Sequence, residues 1–279
     1  MRRLVLIALI QVLAVEILGA QETPARSRSA NPHVALMQAV FRITGLGDNA
    51  RETITGTGFL VERTSPLAAG TSEYVAVTAA HVLRRISGDN ATFRIPMTRP
   101  DGTHQSVVLP MTIRRKGAQL WTELPGADVA VISVPLPATG VKTISFDRLA
   151  TDEDVEQVLL LSAGDVVHVL THPFGYEFND FPVVRSVTLA SHPLVPARTV
   201  KRLVVDFTAF GGDSGGPVYS GPRGAGAAWL EEDVRILGMV TQQVLSPDRT
   251  QNTGLTFVTP AAFIREAISL LPQRMAPAQ

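Results

Sequence analysis

Ser214 lies in the stretch Gly211-Gly212-Asp213-Ser214-Gly215-Gly216-Pro217. A serine with glycines on both sides is a means of bringing backbone N–H groups against a reacting carbonyl. The spacing Gly212-x-Ser214-x-Gly216 also fits a nucleophile elbow whose histidine base follows it in chain order. All six histidines, His33, His81, His104, His168, His172 and His192, precede Ser214, so that order is excluded. The order histidine, acid, serine remains open.

Two further segments fill it. Val75-Ala76-Val77-Thr78-Ala79-Ala80-His81 is a β-branched, alternating run that ends in small residues and delivers one histidine; small residues let neighbouring backbone crowd an imidazole. Gly126-Ala127-Asp128-Val129-Ala130-Val131-Ile132 places an acid at the start of an almost wholly apolar strand. A carboxylate partly buried in this way needs a partner. An imidazole N–H is a suitable one, since the pairing fixes the tautomer and stabilises the imidazolium that forms when the base takes a serine proton.

Through Thr78-Ala79-Ala80-His81, Asp128-Val129-Ala130-Val131 and Gly212-Asp213-Ser214-Gly215-Gly216-Pro217, in this order, the chain resembles the trypsin-like, or chymotrypsin-fold, serine proteases. Gly56-Thr57-Gly58-Phe59-Leu60, His172-Pro173-Phe174-Gly175 and Leu237-Gly238-Met239-Val240 extend the resemblance over roughly residues 34 to 270. The branch it is most similar to is bacterial, cysteine-free and of the high-temperature-requirement type, without the peptide-binding module. The resemblance implies an all-β fold: two antiparallel six-stranded barrels of the chymotrypsin type with the active site between them, plus a C-terminal helix. It implies His81 as general base, Asp128 orienting it and Ser214 as nucleophile. The oxyanion hole is expected from the N–H groups of Gly212 and Ser214, with Gly215 and Gly216 allowing close packing behind the nucleophile. It puts Thr208 near the base of the primary specificity pocket, with Thr241, Gln242 and Gln243 along its wall. None of the four is acidic, and Gln243 stands where a glycine often opens the pocket, so a narrow pocket for a small or medium uncharged side chain is expected. Asp213 pairs with a newly cut N-terminus in the digestive relatives; no Arg-Ile-Val-Gly-Gly junction exists here, so another partner must be found.

Composition agrees with one large globular fold. The chain has 279 residues, 45% of them hydrophobic, no cysteine and a formal net charge of zero; a chain of this size buries about 75% of its unfolded surface. There is no electrostatic footprint for a nucleic acid partner. Arg114-Arg115-Lys116 reads as a solvated loop. His168 and His172 are four apart but in a strand-to-turn segment, so neither a metal nor a cofactor is expected. The partner expected is a protein or peptide substrate.

Arg2-Arg3, the apolar run Leu4 to Ile10 and on to Leu18, then Gly19-Ala20 and polar Gln21-Glu22 form signal-peptide architecture. Residues 1–20 are therefore expected to be removed, residues 21–32 to be a polar linker, and the protein to be exported, periplasmic or secreted, with membrane contact only through the transient signal peptide. The domain is expected over 33–272: barrel one about 33–134, a connection 135–163, barrel two about 164–258 and a closing helix 260–271, followed by a tail 273–279. Strands are expected at Val34–Ile43, Thr53–Glu62 and Tyr74–Thr78, then at 165–170, 183–190, 200–208, 235–241 and 254–258. Thr151-Asp152-Glu153-Asp154 marks a helix start, and Thr259-Pro260 caps the closing helix with proline at its first position. Two other uses of these residues stand beside endopeptidase chemistry: a catalytically inactive protease-like binding scaffold of the cell envelope, and an esterase using the same triad.

Overall fold

The computed structural model describes residues 31–49, 51–65, 71–136, 139–221 and 229–272. The expected signal peptide, residues 21–30 of the linker and the tail lie outside the described residues. The protein is built from two β-units and a C-terminal helix. In the first, strands Val40–Leu46, Thr53–Thr64, Ser72–Ala79, Asn90–Thr98, His104–Thr112, Thr122–Leu124 and Val129–Ser133 pair antiparallel, and Ile144–Ser145 adds a short parallel edge to make an eight-stranded sheet. Its hydrogen-bonded path runs from the 104–112 strand to the 122–124 strand without closing. The second unit is a closed barrel of six strands, in circular order 166–171, 183–189, 203–206, 252–260, 235–245 and 217–220.

Burial follows the apolar residues of these strands. Phe41, Phe59 and Phe93 are wholly buried in the first unit, the rings of Phe41 and Phe93 lying 4.8 Å apart. Val167, Val169, Val205, Tyr219 and Ile236 fill the second. The closing helix, Ala261–Ser269, buries Ala261, Ile264, Ala267 and Ile268 and packs against strands 122–124 and 129–133 of the first unit and 235–245 of the second. It therefore fastens the two units together from behind the cleft.

Several boundaries differ from the sequence expectation for local reasons. Residues 34–37 are helical, not strand: Asn31 accepts the His33 N–H at 3.0 Å and Pro32 occupies the first turn, so a helix Pro32–Met37 forms before the strand begins at Val40. Val200 ends a short helix, Ala197–Val200, and the strand starts at Leu203. Pro217–Ser220, shortly after Ser214, is a barrel strand that four residues of sequence did not announce. Pro260 is the cap of the closing helix instead of its first residue, and the Thr259 hydroxyl donates to Ala127 O at 3.0 Å instead of capping. Arg114 is not solvated loop: its guanidinium lies 5.0 Å from the Trp121 ring and donates to the carbonyls of Leu83, Arg84, Ile86 and Gly88. At Thr151 the expectation matches the geometry, with Asp154 accepting from the Thr151 N–H and hydroxyl at 2.8 Å each ahead of a helical turn, Asp154–Val158.

Candidate active site

The histidine strand ends at Ala79 and passes directly into the short helix Ala80–Arg85, which carries His81 in its first turn. No side chain of the preceding residues caps this helix. Asp128 does so instead: one carboxylate oxygen accepts the His81 backbone N–H at 2.9 Å, while the other meets His81 Nδ1 at 2.7 Å. The same carboxylate thus holds both the backbone and the ring of the histidine. Strand pairing sets this up, since Ala79 lies opposite Val129 and the Ala80 N–H donates to Asp128 O at 3.1 Å. Asp128 takes a left-handed backbone, φ 50°, which Asp tolerates better than most residues. At the far end of the helix, Arg114 satisfies the terminal carbonyls that would otherwise be orphaned.

Ser214 comes from the other unit. Gly215 is where the units touch: a Cβ there would lie 2.1 Å from Thr57 O and 2.4 Å from Thr78 Oγ1, so only glycine lets the Ser214 loop seat against the histidine strand. Thr57, wholly buried, grips the loop on both sides of the serine. Its N–H donates to Ser214 O at 2.8 Å, its hydroxyl donates to Gly212 O at 2.7 Å, and the same hydroxyl accepts the His172 N–H at 3.0 Å.

The Gly212 amide has a defined direction. Gly211 C=O accepts the Phe174 N–H at 2.5 Å, and in a trans peptide the C=O and the following N–H point opposite ways. Gly212 N–H therefore faces away from Phe174, and among the described residues neither it nor the Ser214 N–H has an acceptor within the protein. Gly212 adopts φ 98°, and a Cβ on it would meet His172 O at 2.3 Å. Two adjacent unpaired donors beside a serine hydroxyl suit a developing oxyanion. Ser214 Oγ donates to Thr241 O at 3.3 Å, and no hydrogen bond joins it to His81 in this resting arrangement. The two residues nevertheless share one cavity of about 330 Å³.

Asp213 finds its partner in Arg185. The carboxylate is wholly buried; one oxygen accepts from the Arg185 guanidinium at 2.7 Å and from the Phe210 N–H at 2.8 Å. The guanidinium lies 4.0 Å from the Phe207 ring. Arg185 was not found from sequence, although a signal existed: it shares strand parity with Val183, Val187 and Leu189, and a cation on the inward face of a barrel strand calls for a buried anion. Thr57 and His172 were also missed as supports. His172 is wholly buried beside the loop, and burial, with the Arg42 charge, lowers its pKa to about 3, so it is a neutral imidazole.

Thr241, Gln242 and Gln243 line the cavity in front of Ser214, with Ala209, Phe210 and Leu245. The Gln243 amide donates across it to Ala209 O. Thr208 is exposed near Gly254 and is not among the residues lining that cavity. Among the described residues no group of three or more His, Cys, Asp or Glu side chains is placed to hold a metal.

The family model for trypsin matches residues 57–264, from the buried threonine that grips the Ser214 loop to the closing helix. The chain belongs to the trypsin family. No curated protein matches it. Among solved structures, the trypsin-family chain is similar to a serine endoprotease from Yersinia pestis, at 15% identity and a TM-score of 0.49, over 86% of this chain and 65% of that one. The chain thus spans just under two thirds of that protein's length.

Proposed function

We propose that this protein is an exported serine endopeptidase that hydrolyses peptide bonds through an acyl-enzyme on Ser214. The observation that carries the reading is the pairing of His81 Nδ1 with Asp128 at 2.7 Å, in a cleft where the Gly212 and Ser214 amides are unpaired. A carboxylate on Nδ1 leaves Nε2 as the basic atom of the ring. The reaction requires the Ser214 side chain to turn from Thr241 O toward that atom. Ser214 Oγ then attacks the peptide carbonyl, His81 takes the proton, and the oxyanion is received by the two N–H groups. Collapse expels the amine, which takes the proton back from His81, and leaves an ester on Ser214; water, deprotonated by His81, attacks that ester and restores the serine.

Asp213 is already neutralised by Arg185, so the loop needs no newly cut N-terminus to brace it. The Gln243 bridge to Ala209 supports a narrow pocket for a small or medium uncharged side chain. The N-terminal apolar segment supports export to the periplasm or the exterior. One observation favours a second reading, a protease-like binding scaffold: the Ser214 hydroxyl is engaged with Thr241 O and not with His81. Labelling of purified mature protein by a fluorophosphonate probe, with a peptide-library digest, separates the two. The endopeptidase reading expects labelling and cleavage by wild type, and a fall on the order of 10⁶-fold in turnover for Ser214→Ala. A folded wild type that neither labels nor cleaves supports the scaffold. Labelling with turnover of simple esters but not of long peptides would make it an esterase.

A further inference from the structure

Beyond His81 the cleft opens into a second hollow, of about 430 Å³, whose lining includes Arg84, Asp128, Lys201, Arg202 and Gln242. The two cavities share His81, Thr241 and Gln242. They also share a strand edge. Strand 235–245 pairs with strand 217–220 only as far as Met239, and on its other side with strand 252–260, so from Thr241 onward the edge facing the cleft has no neighbouring strand among the described residues. An extended peptide laid along that edge presents successive side chains in opposite directions. With the attacked residue's side chain in the cavity before Ser214, the side chain preceding it points the other way, over His81 and into the second hollow.

The two hollows differ in charge. The first is lined, apart from His81, by uncharged residues. The second carries three cations. Arg84 is shared between Glu123 at 3.2 Å and Asp128 at 3.3 Å, and Asp128 is committed to His81. Lys201 and Arg202 are exposed, and among the described residues neither has a carboxylate partner. They are not loosely placed: the Lys201 N–H donates to Ala197 O at 2.7 Å in a turn closing the short helix, and the Arg202 guanidinium lies 4.9 Å from the Phe257 ring, which holds it without neutralising it.

We infer that this hollow is a subsite for a carboxylate, so that the preferred substrate carries Asp or Glu immediately before the residue whose carbonyl is attacked. The inference names a substrate class for the endopeptidase reading and rests on it for the direction of the bound chain. Exposed ion pairs are individually weak, so a preference of about 3- to 10-fold is expected from the two free cations together.

The test uses peptides that differ only at that residue, Glu, Gln or Lys, measured for binding to Ser214→Ala protein and for hydrolysis by wild type. The Glu peptide is expected to bind about 3- to 10-fold more tightly than the Gln peptide, with the advantage shrinking as salt is raised from 20 mM to about 0.5 M, where the screening length falls to about 4 Å. In the double variant Lys201→Glu, Arg202→Glu the order is expected to invert in favour of the Lys peptide, a gain that misfolding cannot imitate. Equal binding of the Glu and Gln peptides, or a Glu preference that survives the double charge reversal, overturns the inference. Hydrolysis reads the other question: a Glu preference in binding with no cleavage by wild type would overturn the endopeptidase reading and leave the carboxylate subsite standing.

Discussion

His81 and Asp128 sit at the ends of strands that pair with each other directly, so a single ladder and one carboxylate are enough to bring the histidine ring and the acid to 2.7 Å. The loop of Ser214 is held from far away. Gly212 O is gripped by Thr57, Gly211 O by Phe174 and Asp213 by Arg185, residues separated from the loop by 155, 37 and 28 positions. His81 and Asp128 form a local device within one unit, whereas the loop that carries Ser214 and the Gly212 amide depends on segments of both. A change in the first should therefore affect chemistry with little effect on folding, and a change in the second should affect both.

Asp128→Asn should break the local device most cleanly. Asn tolerates the left-handed backbone at 128 and its side-chain oxygen can still accept the His81 N–H, but it stabilises the wrong tautomer and no imidazolium. The expected loss is about 10⁴-fold in turnover with the urea midpoint almost unchanged. A large drop in stability would show that the carboxylate is structural as well, and would remove the contrast. Arg185→Met probes the opposite side. It leaves the buried Asp213 carboxylate without its cation, at a cost of about 3 kcal/mol in unfolding free energy, and frees the loop that aims the Gly212 and Ser214 amides. Fluorophosphonate labelling should slow in parallel, and Arg185→Met combined with Asp213→Asn should recover part of the stability. If labelling stays at the wild-type rate while stability falls, the ion pair supports the barrel but not the oxyanion loop.

The same contrast explains what could be read from the residues alone. The alternating runs ending in His81 and beginning at Asp128 announce two strands with chemistry at their ends, because strand periodicity is a local property. The glycines around Ser214 announce a turn. What the turn leans on is set by tertiary contact: no spacing rule links Thr57 to Gly212 or Phe174 to Gly211. The four-residue strand after Ser214 was hidden for a related reason, since Pro217–Ser220 is too short to show a period and is strand because its neighbours make it so. Thr208 was placed by analogy alone, and it lies outside the lining of the cavity that Gln243 crosses to reach Ala209.

Thr57→Val tests the cross-unit grip at nearly constant volume. The substitution deletes the donor to Gly212 O and the acceptor of the His172 N–H, both in a buried setting. Leaving those groups unpaired should cost about 1–3 kcal/mol and lower turnover more than it raises KM, because the oxyanion donors act in the transition state. A pure KM effect would assign Thr57 to substrate binding instead.

A last expected effect concerns acid. His172 packs against the nucleophile loop, and its pKa of about 3 lies below the ordinary 6.5. The unfolded chain therefore binds this proton more readily than the folded one. The contribution is fully present above about pH 7 and is lost as pH falls from 6.5 toward 3, by at most about 1.4 kcal/mol for each pH unit. His33 and His168, also lowered by burial, act with the same sign, so the informative quantity is the difference between wild type and His172→Leu in unfolding free energy between pH 6.5 and 4.5. The variant should show the shallower slope even if it is less stable throughout. Parallel stability slopes would mean that the imidazole is reached by water when the loop is closed, and the acid sensitivity would then belong to the carboxylates of both units instead of to the nucleophile side.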